Sequence, residues 1–441
     1  MVAAERGPLR NRAFLAIWFA QILSQVAANA TTFALIVLVA ERTHSNVSSS
    51  LLILLSVIPA VLFGVFAGVL VDRSDRKHVL VVTNGLRAVA VGVFLILQQD
   101  VAAAYLVNVL VATITVFFVP AEAAMLPTIV RKKDLLVANS LFTFTFNGAF
   151  LAGFVLLAPV VIKFFGFDVL FVMLAAMFAG AGVLCVTLPG TGEVAGTGEV
   201  AVDHSLGRAA AGLAVKETGR GLNEVWTVFH FLRSTPLLVW SLIYISIANT
   251  LVAVAGALAP GFVREVLGLG ERDVIYLVAP AGLGVIAGLV LLNLLGARVS
   301  RANAIGVALV VLGGALVALA LARPFSEVFR RTATAELGEA FPFFVAVVSA
   351  VMFVFGMTYA WIIVPAITML QEDLREDIRG RVFGVLNSLV SVFSFLPLIL
   401  VGPVADAWGV APVFLGGTAI VWGAWIGGGR IRRAAAAPAQ V

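Results

Sequence analysis

The stretch LLILLSVIPAVLFGVFAGVLVDRSDRKHVLVVTNGLRAVAVGVFLIL, residues 51–97, holds two long apolar runs on either side of five charges packed between Asp72 and Lys77. An apolar run of about twenty residues crosses the hydrocarbon core of a bilayer as a helix, while a charged cluster of this density stays in water. In lipid a helix satisfies its own backbone hydrogen bonds, so a helix is the form each run is expected to take. Residues 51–97 therefore read as membrane helix, short polar turn, membrane helix.

The same reading extends outward in both directions. Stretches nearly free of Asp, Glu, Lys and Arg cover 14–40, 47–71, 78–99, 101–125, 135–162 and 169–189, then 234–263, 274–297, 302–322, 340–371, 382–405 and 407–429. The composition agrees: 61% of the 441 residues are hydrophobic and 12% charged, about half the charged fraction of a soluble protein. The expected fold class is an all-α membrane protein with twelve transmembrane helices in two six-helix bundles. The bundles are expected at 1–189 and 234–441, joined by a cytoplasmic linker over 190–233. Arg6, Arg10 and Arg12 stand before the first run as in a signal peptide. The run 14–40 is too long for a signal-peptide core and is expected to stay as the first helix.

Lys and Arg placement orients the chain. With the N-terminus inside, the seven inner segments carry three, three, three, four, two, three and three of the 29 Lys and Arg, the outer segments carry seven, and Arg87 lies within a span. That bias predicts a multi-pass protein of the cell membrane with both termini in the cytoplasm. The net charge of +5 sits in clusters between apolar runs, which argues against a nucleic-acid partner. Cys185 is the single cysteine, so neither a disulfide nor a Cys-based metal site can form within the chain.

The linker contains TGEVAG followed by TGEVAV, residues 191–202, a low-complexity repeat expected to be flexible. Beyond it Leu222, Val225, Trp226, Phe229 and Leu232 recur at helical spacing and predict an amphipathic helix on the inner membrane face. In the longest outer loop, Phe325, Val328 and Phe329 suggest a short interfacial helix.

The segment GVFAGVLVDRSDRK, residues 64–77, resembles the loop signature of the major facilitator superfamily. Gly68, Asp72, Arg73, Arg76 and Lys77 match it, and Asp75 departs from the family's usual glycine. The position, at the inner end of the second span, and the six-plus-six layout extend the resemblance over the whole chain. It implies that Asp72 meets the start of the eleventh helix, near RGRVFG at residues 379–384, as a gating latch that breaks when the inner side opens. The charges also suit a helix C-terminus beside an anionic leaflet. Residues 119–141 and 371–384 look like loops of a subgroup that includes enterobactin-exporter-like, macrolide-efflux-like and transmembrane secretion effector permeases. Antiporters of the superfamily often carry Gly-Pro in the fifth helix; here the stretch reads LAGFVLLAP, with Phe154 after Gly153 and proline only at Pro159.

The resemblance implies a cavity lined by helices one, four, seven and ten, with five, eight, two and eleven beside them. The substrate-cavity candidates are Gln21, Gln25 and Asn29 of the first span, Asn147 of the fifth, Tyr244 and Asn249 of the seventh, and Tyr359 and Trp361 of the tenth. Ser24, Ser140, Thr143, Asn387, Ser391 and Ser394 lie on the same polar faces. Polar side chains at spacings of three and four share one helix face. They turn to a cavity or to a neighbouring helix, and interhelical hydrogen bonding accounts for many of them. No charged residue falls mid-membrane in helices one, five, seven, eight, ten or eleven, so the expected substrate is neutral, amphipathic or lipophilic.

Arg87 and Glu122 are the charges set inside spans. Arg87 lies about 13 Å into the third helix at 1.5 Å per residue, and Glu122 about one turn from the inner surface. Arg87 is expected to snorkel toward that surface, and Glu122 to pair with Arg87, Arg73 or Arg76. A static ion network and a proton-coupling role for Glu122 are both open. No phosphate-binding Gly-rich loop with Lys-Ser/Thr is present, and the four histidines are scattered, so neither an enzyme, a metal nor a cofactor is expected.

The sequence therefore predicts a monomeric secondary transporter that exports a hydrophobic or amphipathic small molecule by alternating access, with protons as the expected coupling ion. A lysophospholipid or lipid flippase of the same fold is the alternative within transport. A non-transporting membrane receptor or scaffold is the alternative from another class.

Overall fold

The computed structural model describes residues 8–97, 100–190, 236–295, 299–332, 340–372 and 397–429. These residues form twelve α-helices: α1 Arg12–Thr43, α2 Asn46–Asp72, α3 Arg76–Leu97, α4 Val101–Ile129, α5 Leu135–Phe150, α6 Ala158–Val186, α7 Pro236–Phe262, α8 Ile275–Leu295, α9 Arg301–Thr332, α10 Ala340–Glu372, α11 Leu398–Trp408 and α12 Val410–Gly427. No strand occurs among the described residues. Ten helical stretches there are long and apolar enough to cross a membrane. One of them, Leu135–Val186, is 52 residues long and takes in both the fifth and sixth expected spans. They part at Gly166, whose φ of 84° breaks the helical course. That conformation is open to glycine at little cost and turns the chain back into the bilayer without a long loop. The expected span 382–405 is described only from Pro397 onward.

Where the boundaries lie follows from local chemistry. The Asn11 side chain accepts from the backbone N–H groups of Ala13 and Phe14 and so caps α1, while its own amide donates to the Ile129 carbonyl at 2.7 Å, tying the start of α1 to the end of α4. Ser45 and Asp100 cap α2 and α4 in the same way, satisfying backbone donors that a helix start leaves unpaired. His44 ends α1 in the left-handed region, φ 50°, which histidine tolerates better than most residues.

The chain packs as two compact units. The first comprises residues 1–199 together with 256–279, and the second residues 200–255 and 280–441. In the first unit α1 lies against α5 and α6, α3 against α4 and α6, and α2 against α4. One buried cluster of this unit joins Phe14 and Ile17 of α1, Leu80 of α3, Phe118 and Met125 of α4, Phe142 of α5 and Cys185 of α6. In the second unit α9 packs on α10 and α12, and α11 on α12. Outward-facing Leu, Val and Phe are abundant in both units, as expected where lipid rather than water is the solvent.

Two expectations about local structure change. The stretch 325–329 is not a separate interfacial helix: α9 runs on to Thr332 through Pro324. LAGFVLLAP does not continue α5 as an α-helix, because Leu151–Leu157 winds as a π-helix. There Phe154 stacks on Phe150 and meets Phe33 of α1 edge-on, with ring centroids 5.0 and 4.9 Å apart. The linker, its amphipathic helix, and residues 379–384 with Asn387, Ser391 and Ser394 lie outside the described residues.

Candidate transport site and inner charge network

The charged signature occupies the turn it was expected to occupy. Asp72 is the last residue of α2 and is exposed; Arg73 is exposed, and Arg76 and Lys77 open α3 half-buried. Gly68 lies one turn before Asp72 in α2. Asp75 folds back to accept from the Lys77 backbone N–H at 3.1 Å. The Arg76 guanidinium donates to the Ala124 carbonyl at 3.0 Å and so fastens the α2–α3 turn to the C-terminal part of α4. The segment expected to receive Asp72 lies outside the described residues.

Arg87 departs from expectation. It does not snorkel; it is fully buried, with 0% of its surface exposed. Its guanidinium carbon stands 4.3 Å from the Phe118 ring centroid and 5.0 Å from that of Phe178. Nη2 donates to Asn84 Oδ1 at 2.9 Å and Nε to the Thr83 carbonyl at 3.4 Å. Two ring faces and two acceptors hold the charge inside the bundle more favourably than a stretched path to the surface would. Asn84 is the centre of this arrangement. Its Oδ1 also accepts from Ser24 of α1 at 2.6 Å, and its Nδ2 donates to the Leu80 carbonyl at 2.9 Å and lies 3.7 Å from Cys185 Sγ.

Glu122 is 5% exposed on α4 and lies within the electrostatic reach of Arg87. Arg87 Nη1 and Glu122 Oε1 are both buried without a hydrogen-bond partner. These two atoms therefore make no hydrogen bond to one another. An orphaned polar atom at this depth is costly.

The cavity candidates divide. On α1, Gln21 is committed to α5: its amide donates to the Phe142 carbonyl at 3.2 Å and its carbonyl accepts from Thr145 at 3.0 Å. Gln25 is buried with Nε2 unpartnered, and half-buried Asn29 donates to the Gln25 backbone carbonyl at 2.8 Å. Asn147 is exposed and bonded to Thr143 of its own helix. In the second unit the Tyr359 hydroxyl donates to Asn249 Oδ1 at 3.3 Å, joining α10 to α7. The Trp361 indole donates to the Gly288 carbonyl at 3.0 Å, joining α10 to α8. Tyr244 is buried with its ring 5.7 Å from Trp240. Interhelical bonding thus occupies Gln21, Tyr359 and Trp361, whereas Gln25 has a buried amide nitrogen without a partner. Asn84 went unremarked in the sequence reading, although it stands three residues before Arg87 on the same helix face. Among the described residues no group of three or more His, Cys, Asp or Glu is placed to hold a metal.

The sequence pattern of the Major Facilitator Superfamily matches residues 17–397. The chain belongs to this superfamily. As a facilitator it is a membrane transporter. It is 25% identical over 427 residues to the multidrug efflux pump Tap of Mycolicibacterium fortuitum, covering 94% of this chain and 93% of that one. Over a shorter stretch, 28% of this chain and 31% of the relative, it is 31% identical to macrolide efflux protein A of Streptococcus pyogenes. The facilitator's fold is shared with the crystal structure of the nucleoside transporter NupG, at a TM-score of 0.66 and 12% identity over 96% of this chain and 98% of that one. It is shared also with a bacterial homologue of the lysosomal transporter Spinster, at a TM-score of 0.58 and 13% identity over 96% and 95%.

Proposed function

We propose that this facilitator exports a neutral, amphipathic or lipophilic small molecule across the cell membrane by alternating access of its two sequence halves, 1–189 and 234–441, coupled to proton entry. The observation that carries the reading is the match along nearly the whole chain to a multidrug efflux pump. The chemistry of the candidate residues supports it. Gln25 and Asn29 of α1 are polar but uncharged, which suits a substrate recognised by shape and a few hydrogen bonds.

Coupling is assigned to Glu122, with Arg87 as its fixed counter-charge. Ionised, Glu122 offsets the buried guanidinium. A proton taken up by its carboxylate leaves Arg87 uncompensated and so changes the field inside the first unit. Asp72 with Arg73, Arg76 and Lys77 serves as the inner gate. The protein acts as a monomer, with both termini in the cytoplasm.

The test is uptake of a panel of fluorescent drugs and a fluorescent lysophospholipid into inverted vesicles, with and without a proton gradient. Gradient-dependent accumulation of at least one drug is expected, and Glu122→Gln is expected to abolish the gradient dependence. Gradient-driven transport with an unchanged pH profile in Glu122→Gln would remove the coupling role. Movement of the lipid alone would replace drug export with lipid translocation.

A further inference from the structure

The hydroxyls of α1 settle in two ways. Thr31, Thr32 and Thr43 each donate to the carbonyl four residues back on their own helix, at 2.7, 3.2 and 2.8 Å, the local bond that a helix offers such a side chain. Ser24 does not. Its Oγ reaches out of α1 to Asn84 Oδ1 of α3 at 2.6 Å, and both residues are 0% exposed. α1 and α3 each pack on α6, and this bond links the two directly.

The acceptor is shared. Asn84 Oδ1 also takes Arg87 Nη2 at 2.9 Å. A carbonyl oxygen has two lone pairs, so Ser24 and Arg87 fill it between them. The Nδ2 of Asn84 is bonded to the Leu80 carbonyl at 2.9 Å, which fixes where the oxygen points. On the same guanidinium fork Nη1 is buried without a hydrogen-bond partner. Ser24 has a second acceptor on its own helix, the Ala20 carbonyl, at the spacing its threonine neighbours use.

We propose that Asn84 is a positioning residue that passes the charge of Glu122 to α1; the proposal rests on the reading of Glu122 as the coupling group. While Glu122 is ionised it offsets the buried guanidinium, and Asn84 Oδ1 can hold Ser24 as well. Once Glu122 takes a proton, the uncompensated guanidinium claims Asn84 Oδ1 with both Nη1 and Nη2, a charge-assisted contact that outcompetes a neutral hydroxyl. Ser24 then turns its proton to the Ala20 carbonyl. α1 loses its bond to α3 without leaving a buried donor unpaired. Gln25 and Asn29 follow Ser24 on the stretch so released. Of the helices around this pair, α3 contributes Arg87 and, at its start, Arg76, which is bonded to the Ala124 carbonyl. α6 contributes Cys185, whose Sγ lies 3.7 Å from Asn84 Nδ2. α1 and α2 carry charges only at their ends, and α5 carries none.

The test needs no substrate. The protonated Glu122 carboxyl is followed across a pH titration in lipid nanodiscs by infrared spectroscopy, as the carbonyl-stretch band that Glu122→Gln removes. Linkage is reciprocal: if protonation costs Ser24 its bond to Asn84, loss of the Ser24 hydroxyl must ease protonation. In Ser24→Ala the band is expected to persist to higher pH, by about half a unit or more, because Asn84 Oδ1 is already given over to Arg87. In Asn84→Ala it is expected to vanish at lower pH by a similar amount, because Arg87 leans harder on the Glu122 charge. Packing damage alone would not drive the two variants in opposite directions. An unmoved midpoint in Ser24→Ala, or a shift to lower pH, would overturn the proposal and leave the coupling reading in place. Ser24→Ala removes one oxygen atom, so this outcome decides the matter even where Asn84→Ala fails to insert. A titration in which no band depends on Glu122 would overturn both.

Discussion

Asn84 does more for the first unit than its size suggests, because one amide serves three helices. It orients Arg87, receives Ser24 and touches Cys185. Asn84→Ala strips a second guanidinium nitrogen of its acceptor beside one that already lacks a partner. The expected loss is about 1–3 kcal/mol, read as a lowered melting temperature in detergent with the fold retained. Cys185→Ala, which removes a weak 3.7 Å contact, is expected to change the melting temperature far less. The charges at 87 and 122 were legible in the sequence because an apolar run makes any charge conspicuous. The direction of Arg87 was not. It depends on Phe178 from α6, a residue 91 positions away whose place beside α3 no local pattern records.

At the scale of the element, the α2–α3 turn is a short charged turn held at one side, since Arg76 is anchored to the C-terminal part of α4 while Asp72 stays exposed at the end of α2. Asp72→Asn keeps the size and the helix end and removes the charge. Transport in reconstituted vesicles is expected to fall several-fold while the amount of protein inserted stays the same. Normal transport rates in the variant would remove Asp72 from the gate. Several helices were read from hydropathy to within a few residues of their ends, α1, α2 and α10 among them, since burial in lipid demands length and apolarity, whereas α9 runs ten residues beyond the expected 302–322. The irregular turns were not legible. The π-helix at Leu151–Leu157 lies where Gly153 is pressed against Val26 and Asn29 of α1, and the kink stands at Gly166; the sequence offers only glycines, which are frequent in membrane helices generally.

For the molecule as a whole, the uneven distribution of Lys and Arg and the superfamily match agree on a multi-pass transporter. A fluorescent protein that matures only in the cytoplasm, fused after Val441, is expected to be bright, and a periplasmic phosphatase fused at the same point inactive; the opposite pattern would invert the topology. The sequence also drew a clean line at residues 190–233 between two sets of six spans. Packing drew a different one, because residues 256–279 are counted by sequence with the later helices and by contact with the earlier ones. A gene cut within 190–233 would therefore not yield two self-sufficient pieces. The first piece alone would carry Glu41 without the Arg272 guanidinium that pairs with it, Lys163 without the Asp273 carboxylate and Asn46 without Gly261 against its amide. Supplied together from separate messages, the two pieces would have a specific reason to find each other again, and the docking information would reside in residues 256–279, from the end of α7 to the start of α8.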